Sequence, residues 1–311
     1  MSRLISIGVP AAKGRFLRQA LECWKNQTYQ RFEVFVQDDC SSDDLETIFK
    51  SVCGSDARFH YERNKKSTAP NFVDNWNKTL ERAQGEYFVL ASDDDLYEPD
   101  FLAEMVRLAE KYPGVNAFDA YHDFVNASGI SRLSQRGAEY ETQVEWVYAL
   151  VCHRRGIVAQ SMMVRTQALR DIGGFVNLPA AWGACDWLTW CKLSQNGVVN
   201  SSKVLMHWRS DCGNTTSAHD AYWLRQKEKA VELARPLWIK FAEELTPHSD
   251  VERYMVSAIR LRIIDQYFLW LGIWTYYGFP LWKFALKVIK ESIHGRVAIW
   301  RVFVELGFRV F

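Results

Sequence analysis

Gly85-Glu86-Tyr87-Phe88-Val89-Leu90-Ala91-Ser92-Asp93-Asp94-Asp95 is the stretch from which the rest of the chain is read. Tyr87 to Ala91 is a short uncharged run, aromatic and branched, and predicts a buried strand. Three carboxylates therefore stand at the carboxyl end of a core strand, with Pro99 opening the next helix. Like charges packed so closely repel, so the arrangement is costly unless a cation sits among them. Hard carboxylate oxygens suit Mg²⁺ or Mn²⁺, ions commonly shared with the phosphates of a substrate. The plainer alternative is an acidic turn that caps the following helix.

Working outward, Leu4 to Val9 predicts an apolar strand ending at Pro10, and Phe16, Leu17, Ala20, Leu21 and Trp24 share one helix face. Phe32 to Val36 predicts a second strand, closed by a polar turn in which Ser42 or Asp43 caps a helix through Phe49. Arg58 to Tyr61 predicts a third strand and Asn71 to Arg82 a third helix; Phe101, Leu102, Met105, Val106 and Ala109 face the core after the acidic cluster. This alternation from residue 4 to about 111 implies a parallel sheet with right-handed crossovers. Ligands bind such sheets beyond the carboxyl ends of the strands. Pro10 to Lys13, Asp38-Asp39 and Ser92 to Asp95 all land on that edge. A dinucleotide fingerprint is absent: Gly8-Val9-Pro10-Ala11-Ala12-Lys13-Gly14 does not match Gly-x-Gly-x-x-Gly.

Composition narrows the class. The net charge of +1 argues against an electrostatically driven nucleic-acid binder. Seven scattered cysteines without a CxxC pair fit reduced thiols in the cytoplasm better than a zinc site or disulfide framework. Met1 to Ile5 enters a strand directly, without signal-peptide anatomy.

These residues resemble glycosyltransferase family 2, inverting nucleotide-sugar transferases with the GT-A fold, an α/β Rossmann-like sheet flanked by helices. The similar stretches are Ile5 to Pro10, Gln27-Thr28-Tyr29, Phe32 to Asp43, Asn75-Trp76-Asn77 and Gly85 to Asp95. Met162 to Arg165 and Ile172-Gly173-Gly174-Phe175 look like acceptor-side elements of that family. The likeness implies a transferase domain over residues 1–218, with a nucleotide-binding half to about 111 and an acceptor half from about 112. It also implies transfer of a sugar from a nucleotide diphosphate, UDP favoured, to an acceptor hydroxyl, with Mn²⁺ or Mg²⁺ as cofactor. Donor contacts fall on Pro10, Asp38, Asp39, Asp93 and Arg209, and metal contacts on Asp94 and Asp95, with Asp211 or His207 completing the shell. Asp93 in this scheme meets the ribose or a water on the metal. The chain departs from the family at Ser92, where many relatives carry an acid, and at Asp211, where relatives often carry a histidine. Asp186, a lone carboxylate between aromatic and small residues ahead of an apolar helix, is the expected base, and partial burial there raises a carboxyl pKa towards the working range. Its plainer role is to cap that helix.

Residues 219–311 read as a helical, aromatic-rich extension. Tyr267 to Trp282 carries no charge but is broken by Gly272, Gly278 and Pro280, short of a spanning helix. Nine Lys and Arg against four acids between Glu252 and Arg309 leave the region basic, so it is expected to lie on a membrane surface or pack on the core. These features together predict a peripheral protein on the inner face of the cytoplasmic membrane. Its acceptor would be a glycan on polyprenyl diphosphate, and its pathway surface polysaccharide or O-antigen synthesis. The competing readings are a catalytically degenerate sugar-nucleotide-binding or scaffold protein, and a nucleotidyltransferase.

Overall fold

The computed structural model describes residues 3–264 except 70, 127–128, 134–136, 153, 156, 178–184 and 210–220; the side chains of 130–133, 221–232 and 264 are also outside the description. The chain runs β1 (Ile5–Ala11), α1 (Leu17–Lys25), β2 (Phe32–Asp38), α2 (Leu45–Cys53), β3 (Phe59–Arg63), α3 (Val73–Arg82), β4 (Tyr87–Leu90), β5 (Leu96–Tyr97) and α4 (Phe101–Lys111). It continues through β6 (Ala117–Asn126), β7 (Gly129–Leu133), β8 (Tyr140–Glu141), α5 (Gln143–Val151), β9 (Met162–Arg165), α6 (Thr166–Asp171), α7 (Cys185–Leu193) and β10 (Val198–Arg209) to α8 (Ala221–Glu244) and α9 (Asp250–Ile264).

One sheet takes the order β3-β2-β1-β4-β9-β6-β10-β5. The first four strands are parallel, as the alternation of short apolar-rich strands and amphipathic helices implies. Strand β9 is antiparallel to β4 and to β6, so β6 and its parallel neighbour β10 end at the same edge as β1, β2 and β4. Proline is tolerated in central β1 because the ladder to β4 stops at Gly8, leaving Pro10 paired only with Gln37. Gly8 is where α3 comes closest to β1: a Cβ there would lie 2.2 Å from Thr79 Oγ1.

Side chains of the sheet alternate between two apolar layers. Val89 and Phe118 face α1, α2 and α4, whereas Phe88 and Leu90 face α3, α5 and α7. The second layer also contains Trp238 of α8 and Ile259 of α9, both fully buried. Among the described residues, the buried side chains of α8 and α9 thus pack into the same apolar layer as α3, α5 and α7. The aromatic stretch from Tyr267 onward lies outside the described residues. Among the described residues no helix is long and apolar enough to cross a membrane.

The second helix is capped differently from expectation. Asp44, not Ser42 or Asp43, accepts the Thr47 N–H at 3.1 Å. Asp43 is drawn away instead to the Gly14 N–H at 2.7 Å. The loop after β1 is thereby tied to the turn after β2.

Candidate active site

The carboxyl ends of β1, β2 and β4 form one bonded edge. The Asp39 N–H donates to the Ala11 carbonyl at 2.7 Å, and the Ser41 hydroxyl to the Ala12 carbonyl at 2.7 Å. Across the edge, Asp93 Oδ2 accepts the N–H groups of Ala12 and Lys13 at 2.7 and 2.8 Å. Burial, and then the adjacent Asp94 carboxylate, push the Asp93 pKa up to about 6 in spite of those two bonds. That crowding of negative charge is the electrostatic signature of a place where a cation relieves repulsion.

Asp39 is partly exposed and accepts four hydrogen bonds from the segment after β3: Asn64 Nδ2 at 2.9 Å, Thr68 N–H at 2.8 Å, and the Ser67 and Thr68 hydroxyls at 3.0 Å each. The polar run Asn64-Lys65-Lys66-Ser67-Thr68 therefore wraps the edge beside Asp39. Sequence reasoning passed over it, although it follows a predicted parallel strand and falls at the same edge as the three clusters that were singled out. Pro10 lies one residue before Ala11 at this edge.

Three expected site residues are placed otherwise. Asp38 is fully buried and its carboxylate is consumed internally, accepting from Ser41 N–H (2.7 Å), Tyr61 hydroxyl (2.6 Å) and Arg63 Nη1 (2.7 Å). It shapes the turn that holds Cys40 at a φ of +60°, a conformation costing about 1 kcal/mol for a residue with a Cβ. Asp95 is also buried, accepting the Ser92 hydroxyl at 2.6 Å and the Arg209 N–H at 2.9 Å, so its oxygens bind β10 to the acidic turn rather than point at a ligand. Burial, reinforced by Asp94, raises its pKa well above the ordinary aspartate value. His207 has a carboxylate on each ring nitrogen, Asp123 on Nδ1 at 2.6 Å and Glu98 on Nε2 at 2.8 Å, which leaves no nitrogen for a metal. Burial opposes its charged form, but the two carboxylates outweigh burial and raise its pKa.

Arg209 is brought to the acidic turn. Its Nε donates to the Asp94 carbonyl at 2.8 Å and its Nη2 to Gln19 at 2.9 Å, with the guanidinium 4.0 Å above the Phe16 ring. Asp211 lies outside the described residues. Among the described residues no three His, Cys, Asp or Glu side chains converge on a point suited to an ion.

Asp186 sits inside the first turn of α7 rather than ahead of it, with the Trp187 N–H on its Oδ1 at 2.9 Å. Burial pushes its pKa up to about 6, only partly offset by that N–H. Helix α7 is fixed to the sheet by aromatic contact: Trp190 is edge-on to Phe175 at 5.6 Å, and Phe175 lies 6.1 Å from Phe88 of β4, the strand that leads to Asp93.

Comparison with known proteins agrees with this architecture. The sequence model of glycosyl transferase family 2 matches residues 6–171. An uncharacterized glycosyltransferase of Rickettsia typhi is 32% identical over 111 residues, 35% of this chain and 33% of that protein, so the chain spans about a third of that relative. One from Haemophilus influenzae is 24% identical over 75% of this chain and 72% of its own length. Among solved structures, S. aureus TarS in complex with UDP-GlcNAc superposes with a TM-score of 0.68 at 18% identity, over 93% of this chain and 77% of that one. The mannosyltransferase PcManGT of Pyrobaculum calidifontis, in complex with GDP-Man and Mn²⁺, gives 0.59 at 15% identity, over 100% and 81%. The chain belongs to glycosyl transferase family 2 and has the GT-A fold.

Proposed function

We propose that the chain is an inverting glycosyltransferase that moves a sugar from a nucleotide diphosphate, UDP by preference, to a hydroxyl of a glycan acceptor. The observation that carries this reading is the convergence of Asp39, the Ala12-Lys13 loop and Asp93-Asp94 on one sheet edge. Asp39, held by Asn64 and Thr68, faces the nucleobase, and Asp93 with the 12–13 backbone lines the ribose and diphosphate side.

The donor set fits a divalent ion. Asp93 and Asp94 crowd each other electrostatically, and Mg²⁺ or Mn²⁺ commonly uses one or two carboxylates plus substrate phosphates and water. Asp94, with Asp93 beside it, would hold the ion; bound there, it neutralises charge developing on the departing diphosphate. Arg209 braces the acidic turn by holding the Asp94 carbonyl and lending its N–H to Asp95. Asp186 takes the proton of the acceptor hydroxyl. A carboxyl group raised to about 6 is ionised at neutral pH and more basic than an exposed aspartate. The superposition with a structure solved with UDP-GlcNAc and another solved with GDP-Man and Mn²⁺ supports nucleotide-sugar use. The basic, aromatic sequence after residue 264 supports an acceptor on polyprenyl diphosphate at the inner membrane face, for surface polysaccharide such as O-antigen.

A panel of UDP-, GDP- and dTDP-sugars in a thermal-shift assay with Mn²⁺ identifies the donor, because selective binding stabilises the folded state. With that donor, Asp94→Ala and Asp186→Ala are each expected to lower turnover by about 100-fold or more. Full turnover in Asp186→Ala would remove the assigned base; absence of stabilisation by every nucleotide sugar would remove the transferase reading.

A further inference from the structure

Helix α3 is bonded on two opposite sides. Asn75, buried, donates to the Gln37 carbonyl at 3.0 Å and accepts Asn64 Nδ2 at 2.8 Å; the same Asn64 amide donates to Asp39. Two helical positions are about 200° apart, so Asn77 leaves on the other side. There its Oδ1 accepts the Phe175 N–H at 2.9 Å, and its Nδ2 faces the Phe175 carbonyl at 3.4 Å. Phe175 follows Gly173 and Gly174, at φ of +88° and +83°, and a Cβ on Gly174 would lie 2.6 Å from Asn77 Oδ1. The next residue, Val176, donates its N–H to Thr189 Oγ1 at 2.9 Å, and the Thr189 hydroxyl returns to the Cys185 carbonyl, one residue before Asp186. Aromatic packing runs alongside, with Phe175 edge-on to Trp76 at 5.5 Å and to Trp190 at 5.6 Å.

We propose that Asn77 is a positioning residue for Asp186: it grips both backbone groups of Phe175 and, through Val176 and Thr189, sets the first turn of α7. Its helix shares Asn64 with the nucleotide-side carboxylate Asp39, so one rigid element aligns the two halves of the site. The inference rests on Asp186 being the base. A role confined to folding the Gly-Gly-Phe turn would lower stability, donor affinity and turnover together. Positioning lowers turnover while the donor still binds, because a displacement of about 1 Å is enough to cost a large factor in rate.

The test compares the full chain with Asn77→Ala, Asn77→Asp and Thr189→Val. Aspartate keeps an acceptor for the Phe175 N–H; alanine does not. Thr189→Val breaks the next link without changing side-chain volume, and keeps the test alive should Asn77→Ala not fold. UDP affinity with Mn²⁺ is measured by calorimetry, turnover as UDP release, and the Asp186 carboxyl titration by ¹³C NMR. Asn77→Ala and Thr189→Val are expected to bind UDP within about two-fold of the parent but to lose about 10- to 100-fold in kcat, with Asn77→Asp retaining most of it. The Asp186 titration should move from about 6 towards 3.8 in Asn77→Ala as its turn loosens. Parental kcat in folded Asn77→Ala or Thr189→Val, or equal losses of UDP affinity and kcat, would overturn the proposal. Full turnover in Asp186→Ala would refute the base instead, and loss there beside parental kcat in Asn77→Ala would refute only the positioning role.

Discussion

Replacing Asp38 by alanine separates a folding role from a ligand role for the acid that ends β2. The buried carboxylate receives three donors, and they are not equivalent. The Arg63 side chain is 44% exposed, so water takes over its bond to Asp38 and little is lost there. The Ser41 N–H lies inside and the Tyr61 hydroxyl is half-buried, with its pKa pushed up by burial and by the Asp38 carboxylate. The Ser41 N–H, left without a partner, costs about 1–3 kcal/mol, and the Tyr61 hydroxyl about half as much. Asp38→Ala should therefore lower unfolding free energy by about 2–4 kcal/mol, at the low end of what breaking a fully buried ion pair costs because Arg63 reaches solvent. Asp38→Asn keeps the volume and one acceptor, and should recover about half of the loss. Urea denaturation at neutral pH, followed by tryptophan fluorescence, measures both, with UDP affinity determined on the folded fraction. A stability change below about 0.5 kcal/mol in Asp38→Ala, accompanied by loss of UDP binding, would show that the carboxylate serves the ligand and refute this reasoning.

Three other outcomes follow from the geometry. Turnover should rise with pH through about 6 as Asp186 loses its proton; stability should move oppositely, since an acid whose folded pKa is raised stabilises most below pH 4 and loses that contribution towards 6. A flat pH–rate profile from 5 to 8 would contradict the assignment. Asp95→Ala should lower unfolding free energy by about 2 kcal/mol, by stranding the Arg209 N–H and the Ser92 hydroxyl, while Mn²⁺ affinity in a calorimetric titration stays within about three-fold. For His207→Gln the loss of stability in denaturant melts should be greater at pH 6 than at pH 9. Its raised pKa means that the bridge between Glu98 and Asp123 is fully charged below the unfolded value of 6.5 and weakens as pH climbs through the folded one.

What the chain discloses before folding is mostly what neighbours in sequence decide. The apolar-rich runs ending at Pro10, Asp38 and Ala91, separated by amphipathic helices, are enough to predict parallel strands and to put Asp39 and Asp93 at one edge. Among Asp93, Asp94 and Asp95 nothing local marks the third as structural. That needs the Arg209 N–H, which arrives from β10 more than a hundred residues later. His207 stands beside Asp211 in sequence as a candidate to complete the metal shell, but its partners Asp123 and Glu98 meet it only when β6, β10 and the end of β5 are laid side by side. Cap choice failed for a similar reason: Asp43 and Asp44 are equivalent until Gly14, brought over from the β1 loop, claims the first. The Asn64–Thr68 segment carried a usable signal, a polar run after a parallel strand; the role of Asn77 did not, because Phe175 is remote in sequence.

The account stands on the proposal that Asp39, Asp93 and Asp94 make a nucleotide edge and that Asp186 faces it. A crystal structure of the full chain with UDP and Mn²⁺, using the manganese anomalous signal, tests this most directly. The expected map shows uracil beside Asp39, the manganese peak on Asp94 and the diphosphate, and the Asp186 carboxylate across open space from the β-phosphate. A manganese peak away from the 93–94 turn, or Asp186 turned from the diphosphate with protein between them, would contradict it.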